Sequence, residues 1–349
     1  MTDAAKSLRE AAASRILIKD GPYGTAIQGL GLSAADYAGD IANNHDQKGN
    51  NDLLNLTRPA DIAGVCNQYI AAGADLLATN TFNANRISQA DYGMESRVRE
   101  INLAAAKVIR DCVDAATAAD GKLRWVAGSL GPTNKTLSLS PRVSDPGYRE
   151  VNFDEVKDVY REQIDALLDG GVDFILIETV FDTLNAKAAA FAAAEAGDAR
   201  GHDVPVMLSM TLTDLSGRNL SGQTVEAFWH SIRHVKPVAV GLNCSFGATE
   251  LRPHVQALAK VADTLIMTYP NAGLPNDLGA YDEQPETTAG HIRGWADEGL
   301  VNIVGGCCGN TPAHIAAMAR RVAGLPARMV PTEVPELRLS GLEAHRFAA

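Results

Sequence analysis

Long apolar runs, surplus positive charge, aromatic side chains and pairable cysteines are all scarce in this 349-residue sequence. No stretch approaches the roughly 18 apolar residues that span a bilayer, so a membrane-embedded chain is not expected. Lys and Arg number 31 against 42 Asp and Glu, a net charge of −11. Spread along the chain, that balance argues against nucleic acid or an anionic membrane as the main partner. The segment from Met1 to Asp20 interleaves alanines with Asp3, Lys6, Arg9, Glu10 and Arg15, so it lacks the apolar core of a secretion signal. The cysteines number five, an odd count, and Cys307 and Cys308 are adjacent. A disulfide framework is therefore not expected, and the thiols should stay reduced in the cytoplasm. The eight histidines form no His-x-His or His-Glu-x-x-His pattern. His230 and His234 lie four apart on one predicted helix and read as its outer face.

Short apolar segments, by contrast, recur throughout. They are Ile16–Lys19, Asp75–Thr79, Trp125–Leu130, Phe174–Glu178, Val206–Leu212, Val238–Cys244, Leu265–Tyr269 and Val301–Val304. Most are continuously apolar rather than alternating, the pattern of parallel strands covered on both faces. Helical periods lie between them. Pro59 suits a first turn, Ile62, Val65, Cys66, Tyr69 and Ile70 mark one face, and Gly73 ends that helix. Asp154 reads as the N-cap of a helix whose stripe runs from Val156 to Leu168 and stops at Gly170-Gly171. Eight strand–helix units in series predict a single-domain α/β fold, a (β/α)8 TIM barrel over residues 1–325. Residues 326–349, punctuated by proline, read as a poorly packed C-terminal extension and a candidate docking segment. Two connections, Gly21 to Arg58 and Gly131 to Phe153, are too long for plain turns and fall on the C-terminal face, where barrels build active sites.

The residues ending the predicted strands are Asp20, Thr79-Asn80, Gly131, Glu178, Thr211, Cys244, Asn271 and Cys307-Cys308. A barrel brings these ends to one pocket. Three of the five cysteines fall there, while Cys66 and Cys112 lie on apolar helix faces, where a thiol packs as a small hydrophobe. Three convergent thiols suit a thiophilic metal with an open fourth position; a tight turn with buried thiols explains the same residues. Gly305, Gly306 and Gly309 before Thr311-Pro312 also suit a phosphate-binding loop. Against an aldolase of that kind, no lysine stands among these strand-end residues; Lys19 falls one residue before Asp20. Glu178 follows Phe-Ile-Leu-Ile and should lie at the pocket floor, where a substrate ammonium would pair with it. A helix-capping role suits Asp182 and Thr183 better. Asp20, before Gly21-Pro22, reads equally as a turn residue or a substrate contact.

Several stretches, read together, are specific: Asp20-Gly-Pro-Tyr-Gly-Thr, Lys48-Gly-Asn-Asn-Asp-Leu-Leu, Thr79-Asn-Thr-Phe-Asn, Leu130-Gly-Pro-Thr-Asn, Ile177-Glu-Thr-Val-Phe-Asp-Thr, Gly241-Leu-Asn-Cys, Tyr269-Pro-Asn-Ala-Gly and Gly305-Gly-Cys-Cys-Gly. From Ile16 to about Glu343 the sequence closely resembles the homocysteine-binding zinc barrel of cobalamin-dependent methionine synthase, within the homocysteine S-methyltransferase family. The resemblance implies that Cys244, Cys307 and Cys308 ligate Zn²⁺, and that Glu178 and Asp20, with backbone around Gly21, hold the amino-acid end of homocysteine. It places Asn271 beside the metal. Pro22-Tyr23 departs from the small residues that many relatives carry. Relatives of this type usually continue into folate- and cobalamin-binding modules, so the resemblance implies methylcobalamin carried by a partner protein, and a separate folate-binding protein. Betaine or S-methylmethionine as a small donor is the alternative. A homocysteine- and zinc-binding subunit without catalysis is a more remote one.

Overall fold

In the computed structural model, residues 2–41, 44–332 and 335–347 are described. The helix Asp3–Ser14 comes first. Eight parallel strands follow: β1 (Leu17–Ile18), β2 (Leu76–Ala78), β3 (Trp125–Leu130), β4 (Phe174–Val180), β5 (Val206–Met210), β6 (Ala239–Gly247), β7 (Leu265–Asn271) and β8 (Ile303–Val304). They form one sheet in the order β1-β8-β7-β6-β5-β4-β3-β2. A parallel bridge from Lys19 to Leu76 brings β1 onto β2 and closes the barrel. The major helices, one after each strand, are α1 (Pro59–Ala71), α2 (Val98–Asp120), α3 (Phe153–Asp169), α4 (Thr183–Arg200), α5 (Val225–Ile232), α6 (Ala248–Val261), α7 (Pro285–Asp297) and α8 (Pro312–Val322). The fold is the expected single-domain (β/α)8 barrel.

The continuous apolar runs are explained by two buried faces. Ile18, Leu77, Val126, Ile175, Ile177, Leu208, Val240, Ile266 and Val304 pack outward against the helices. Leu17, Leu76, Trp125, Phe174, Leu176, Met207, Leu265, Met267 and Ile303 fill the interior. The N-terminal helix closes the bottom of that interior with Ala5, Leu8 and Ala12. Arg15 fixes its exit through paired bonds of 2.7 and 2.8 Å to Asp75. Among the described residues no helix is long and apolar enough to cross a membrane.

Two sequence expectations are corrected, the N-cap of α3 and the exposure of His230, and one is refined. The N-cap of α3 is Asn152, not Asp154, because Asn152 and Glu155 form a reciprocal capping box that satisfies two backbone N–H groups. The C-terminal segment is exposed over most of its length, as expected, but it is anchored at two points. Arg328 is buried and donates to the carbonyls of Ala259, Ala262 and Thr264. The hairpin β9 (Arg338–Ser340) and β10 (Ala344–Arg346) then lies on α5, where Ser340 Oγ donates to the Ala227 carbonyl at 2.6 Å. His230, read as an outer-face residue, is buried. As expected, Pro59 opens α1, and Asp182 caps α4 by accepting from Leu184 N at 2.9 Å.

Candidate active site

The inward phase of the strands changes character at the C-terminal end. After two apolar layers the interior presents Lys19, Ser129, Glu178, Ser209, Asn243 and Tyr269, all buried. Glu178, on β4, is held by two donors. Ser129 Oγ donates to Oε1, and Tyr269 OH donates to Oε2 at 2.9 Å. Burial and the neighbouring Glu178 push the Tyr269 phenol well above its ordinary value, so it stays a donor.

Strand β6 breaks register with β7 between Asn243 and Gly247. Within that bulge Cys244 and Ser245 adopt φ of 63° and 62°, a left-handed backbone that non-glycine residues rarely hold. The strain is sustained from both sides. Ser245 Oγ bonds the Leu212 carbonyl and, at 2.8 Å, Thr211 Oγ1. Asn243 donates to Thr179 Oγ1 at 2.9 Å and accepts from Thr179 N at 3.1 Å. The bulge thereby presents Cys244 to the cleft.

Cys307 and Cys308 come from the turn after β8. Cys307 N donates to the Pro270 carbonyl at 2.8 Å, and Ala272 N to the Cys308 carbonyl at 2.9 Å. Glycines allow this close packing: a Cβ on Gly306 would meet Asn310 at 2.5 Å, and one on Gly309 would meet the Tyr281 ring at 2.3 Å. That accounts for the glycine-rich turn without a phosphate.

The sulfurs of Cys244, Cys307 and Cys308 all lie within 4.8 Å of one another, and those of Cys244 and Cys308 are 3.8 Å apart. A tetrahedral ion with metal–sulfur bonds of about 2.3 Å sets its sulfurs about 3.8 Å apart, so the donor set fits such an ion. Hydrogen bonds from Cys244 and Cys307 hold the Cys308 thiol down at about 3. Its bonds to Cys244 and Cys308, together with burial, hold Cys307 well above the thiol range. Tyr281, in the loop after β7, also bonds Cys308, and burial raises its phenol to about 12.

These groups open on a cleft of about 670 Å³. Gly21, Glu178, Cys244, Cys307 and Cys308 line it, as the sequence implied. Asp20 and Asn271 do not: both are buried outside the lining. Asp20 instead pairs with Lys19 at 2.8 Å and accepts from Ala78 N at 2.8 Å, tying β1 to β2. Gly21 must lack a side chain, because a Cβ would lie 2.6 Å from the Tyr69 ring. Sequence reading missed Lys19, Ser129, Tyr269 and Tyr281, all of which line the cleft. The two-residue phase of β1, β3 and β7 points to the first three; no local signal marks Tyr281.

The chain is similar to solved structures of the homocysteine methyltransferase MmuM from Escherichia coli. Its oxidised form matches with a TM-score of 0.71 at 22% identity, over 92% of this chain and 100% of that one. The metallated form matches with the same score and identity, over 91% and 100%. At that identity the likeness establishes the barrel. The homocysteine S-methyltransferase family itself matches residues 17–322, nearly the whole barrel and all three convergent cysteines. The chain is therefore a methyltransferase and belongs to the homocysteine S-methyltransferase family.

Proposed function

We propose that this protein is a zinc-dependent homocysteine S-methyltransferase that forms methionine, acting as the homocysteine-activating component of a split cobalamin-dependent methionine synthase. The observation that carries this reading is one cleft lined by both a three-thiol cluster and a buried carboxylate, Glu178. Cys244, Cys307 and Cys308 would hold the zinc. When bound, zinc supplies the Lewis acidity that lets a thiol lose its proton near neutral pH. Glu178, fixed by Ser129 and Tyr269, would pair with the substrate ammonium and aim its sulfur along the cleft. The substrate sulfur attacks the methyl carbon in line, an S–C bond forms, and the donor departs with the electron pair of the bond that breaks. The barrel's contribution is proximity and alignment. Asp20, behind Lys19, and Asn271 would act on the substrate end and the metal from behind the cleft wall.

Support for a protein-borne methylcobalamin donor comes from the βα loops around the cleft, which expose Leu30, Phe82, Leu139, Val143, Leu215, Leu220, Leu274 and Leu278. Apolar side chains gathered at one end suit a protein partner. A folate-binding protein would then serve that partner, not this chain, and reduced thiols make the cytoplasm the natural compartment. A small onium donor such as betaine or S-methylmethionine is the second reading, and Asp52 favours it. Its buried carboxyl lines the cleft with no ion-pair partner among the described residues.

The test incubates zinc-loaded protein with homocysteine and, in separate arms, methylcobalamin, betaine and S-methylmethionine, and follows methionine. Turnover with methylcobalamin is expected. Rapid turnover with betaine or S-methylmethionine alone would overturn the split-synthase reading.

A further inference from the structure

We infer that Lys19 holds the substrate's α-carboxylate, so that Lys19 and Glu178 together select a thiol bearing both charges of an α-amino acid. The inference rests on the homocysteine reading above and assigns the recognition of its second charge.

Lys19 follows β1 on the inward phase set by Leu17, and its backbone N–H donates to the Val304 carbonyl at 2.7 Å. Its side chain is almost wholly buried yet lines the cleft floor. Among the described residues no other Lys, Arg or His lines that cleft. An ammonium has three donors. One goes to Asp20 at 2.8 Å, and the head group sits 4.6 Å from the centroid of the Tyr269 ring. The remaining donors have no protein acceptor among the described residues. Glu178 meets the same ring at its hydroxyl, 2.9 Å away. The two opposite charges therefore flank one aromatic side chain, Lys19 over its face and Glu178 at its end. An amino-acid head group carries its two charges on groups bonded to one carbon, the ammonium and the carboxylate of Cα, and matches such a pair.

Barrel closure alone does not account for Lys19. Asp20 already accepts from Ala78 N, and a buried ion pair is an expensive way to join two strands. Burial works against the ammonium's charge, but Asp20 and Glu178 outweigh it and hold the lysine above its ordinary range. It therefore remains a cation when the substrate enters.

Three ligands separate the charges. Homocysteine carries both, 3-mercaptopropylamine lacks the carboxylate, and 4-mercaptobutyrate lacks the amine. Each is titrated calorimetrically into zinc-loaded wild type, Lys19→Met and Glu178→Gln. Lys19→Met should weaken homocysteine and 4-mercaptobutyrate about tenfold or more, the size of a lost charged hydrogen bond. The same variant should leave 3-mercaptopropylamine within about twofold. Glu178→Gln should weaken homocysteine and 3-mercaptopropylamine and spare 4-mercaptobutyrate. Equal weakening of all three ligands by Lys19→Met, or of none, overturns the inference and leaves Lys19 as Asp20's partner, with backbone N–H groups holding the carboxylate. A wild type that binds no homocysteine overturns the underlying reading as well, a result distinct from unchanged selectivity. If Lys19→Met misfolds because Asp20 is left unpaired, Lys19→Met with Asp20→Asn removes the pair as a unit and is read against Asp20→Asn alone, the further loss falling on homocysteine and 4-mercaptobutyrate only.

Discussion

At the bottom of the barrel, Leu17, Trp125, Phe174, Met207 and Leu265 meet Leu8 of the N-terminal helix in a sealed apolar plug. At the top, the inward phase ends in Lys19, Ser129, Glu178, Ser209, Asn243 and Tyr269, of which Lys19, Ser129, Glu178 and Tyr269 line a cleft. The strand alternation is the same at both ends; what changes is which residues occupy the inward phase. The bottom carries stability through burial of apolar surface. The top carries buried charge and strained backbone, which cost stability and need the rest of the fold to sustain them.

Four substitutions separate the two ends. The largest effect belongs to the thiols. Cys308→Ala should reduce zinc content from about one per chain to background and abolish methionine formation, with the melting cooperativity of the barrel retained. Full zinc retention in that variant would remove Cys308 from the metal site. Leu8→Ala should do the reverse, because it leaves a cavity in the plug. A loss of about 2–5 kcal/mol in urea unfolding is expected, with homocysteine affinity unchanged. A matching loss of affinity would show that the two ends are coupled.

Asp52 tests whether charge at the top is held against stability. Burial raises its carboxyl from 3.8 to about 7. A raised acid favours the folded state fully below about 4, and that stability is lost as pH rises toward 7. The wild type should therefore weaken between pH 5 and 7 by at most about 1.4 kcal/mol per pH unit, and Asp52→Asn should flatten that slope. A slope unchanged in Asp52→Asn would mean that the charge is accommodated without cost. The smallest effect is expected from Tyr269→Phe. It keeps the ring under Lys19 but removes the donor to Glu178, and should raise the homocysteine KM about tenfold while leaving zinc content intact. An unchanged KM would mean that Ser129 alone positions Glu178.

Much of this was legible before folding. Eight continuous apolar runs predicted eight doubly covered strands, and their ends grouped Cys244 with Cys307 and Cys308 across sixty-odd residues of chain. Cys66 and Cys112 are indeed buried on helices. Asp20 was misleading because adjacent residues point to opposite sides of a strand: the inward neighbour, Lys19, reaches the cleft and Asp20 turns to Ala78. The exposure of the tail was legible in its prolines, but its anchoring was not, because Arg328 is held by carbonyls far away in sequence.

The sequence by itself determined the barrel, the three thiols and the carboxylate on β4, because residue type and strand phase are local properties. Only the tertiary structure decided how they meet. The left-handed turn at Cys244 exists because Thr179 of β4 and Thr211 and Leu212, just after β5, hold it there. The ring of Tyr269 stands between Lys19 and Glu178 because three strands remote in sequence converge at one layer. Those contacts join distant segments, and no window of sequence contains both partners.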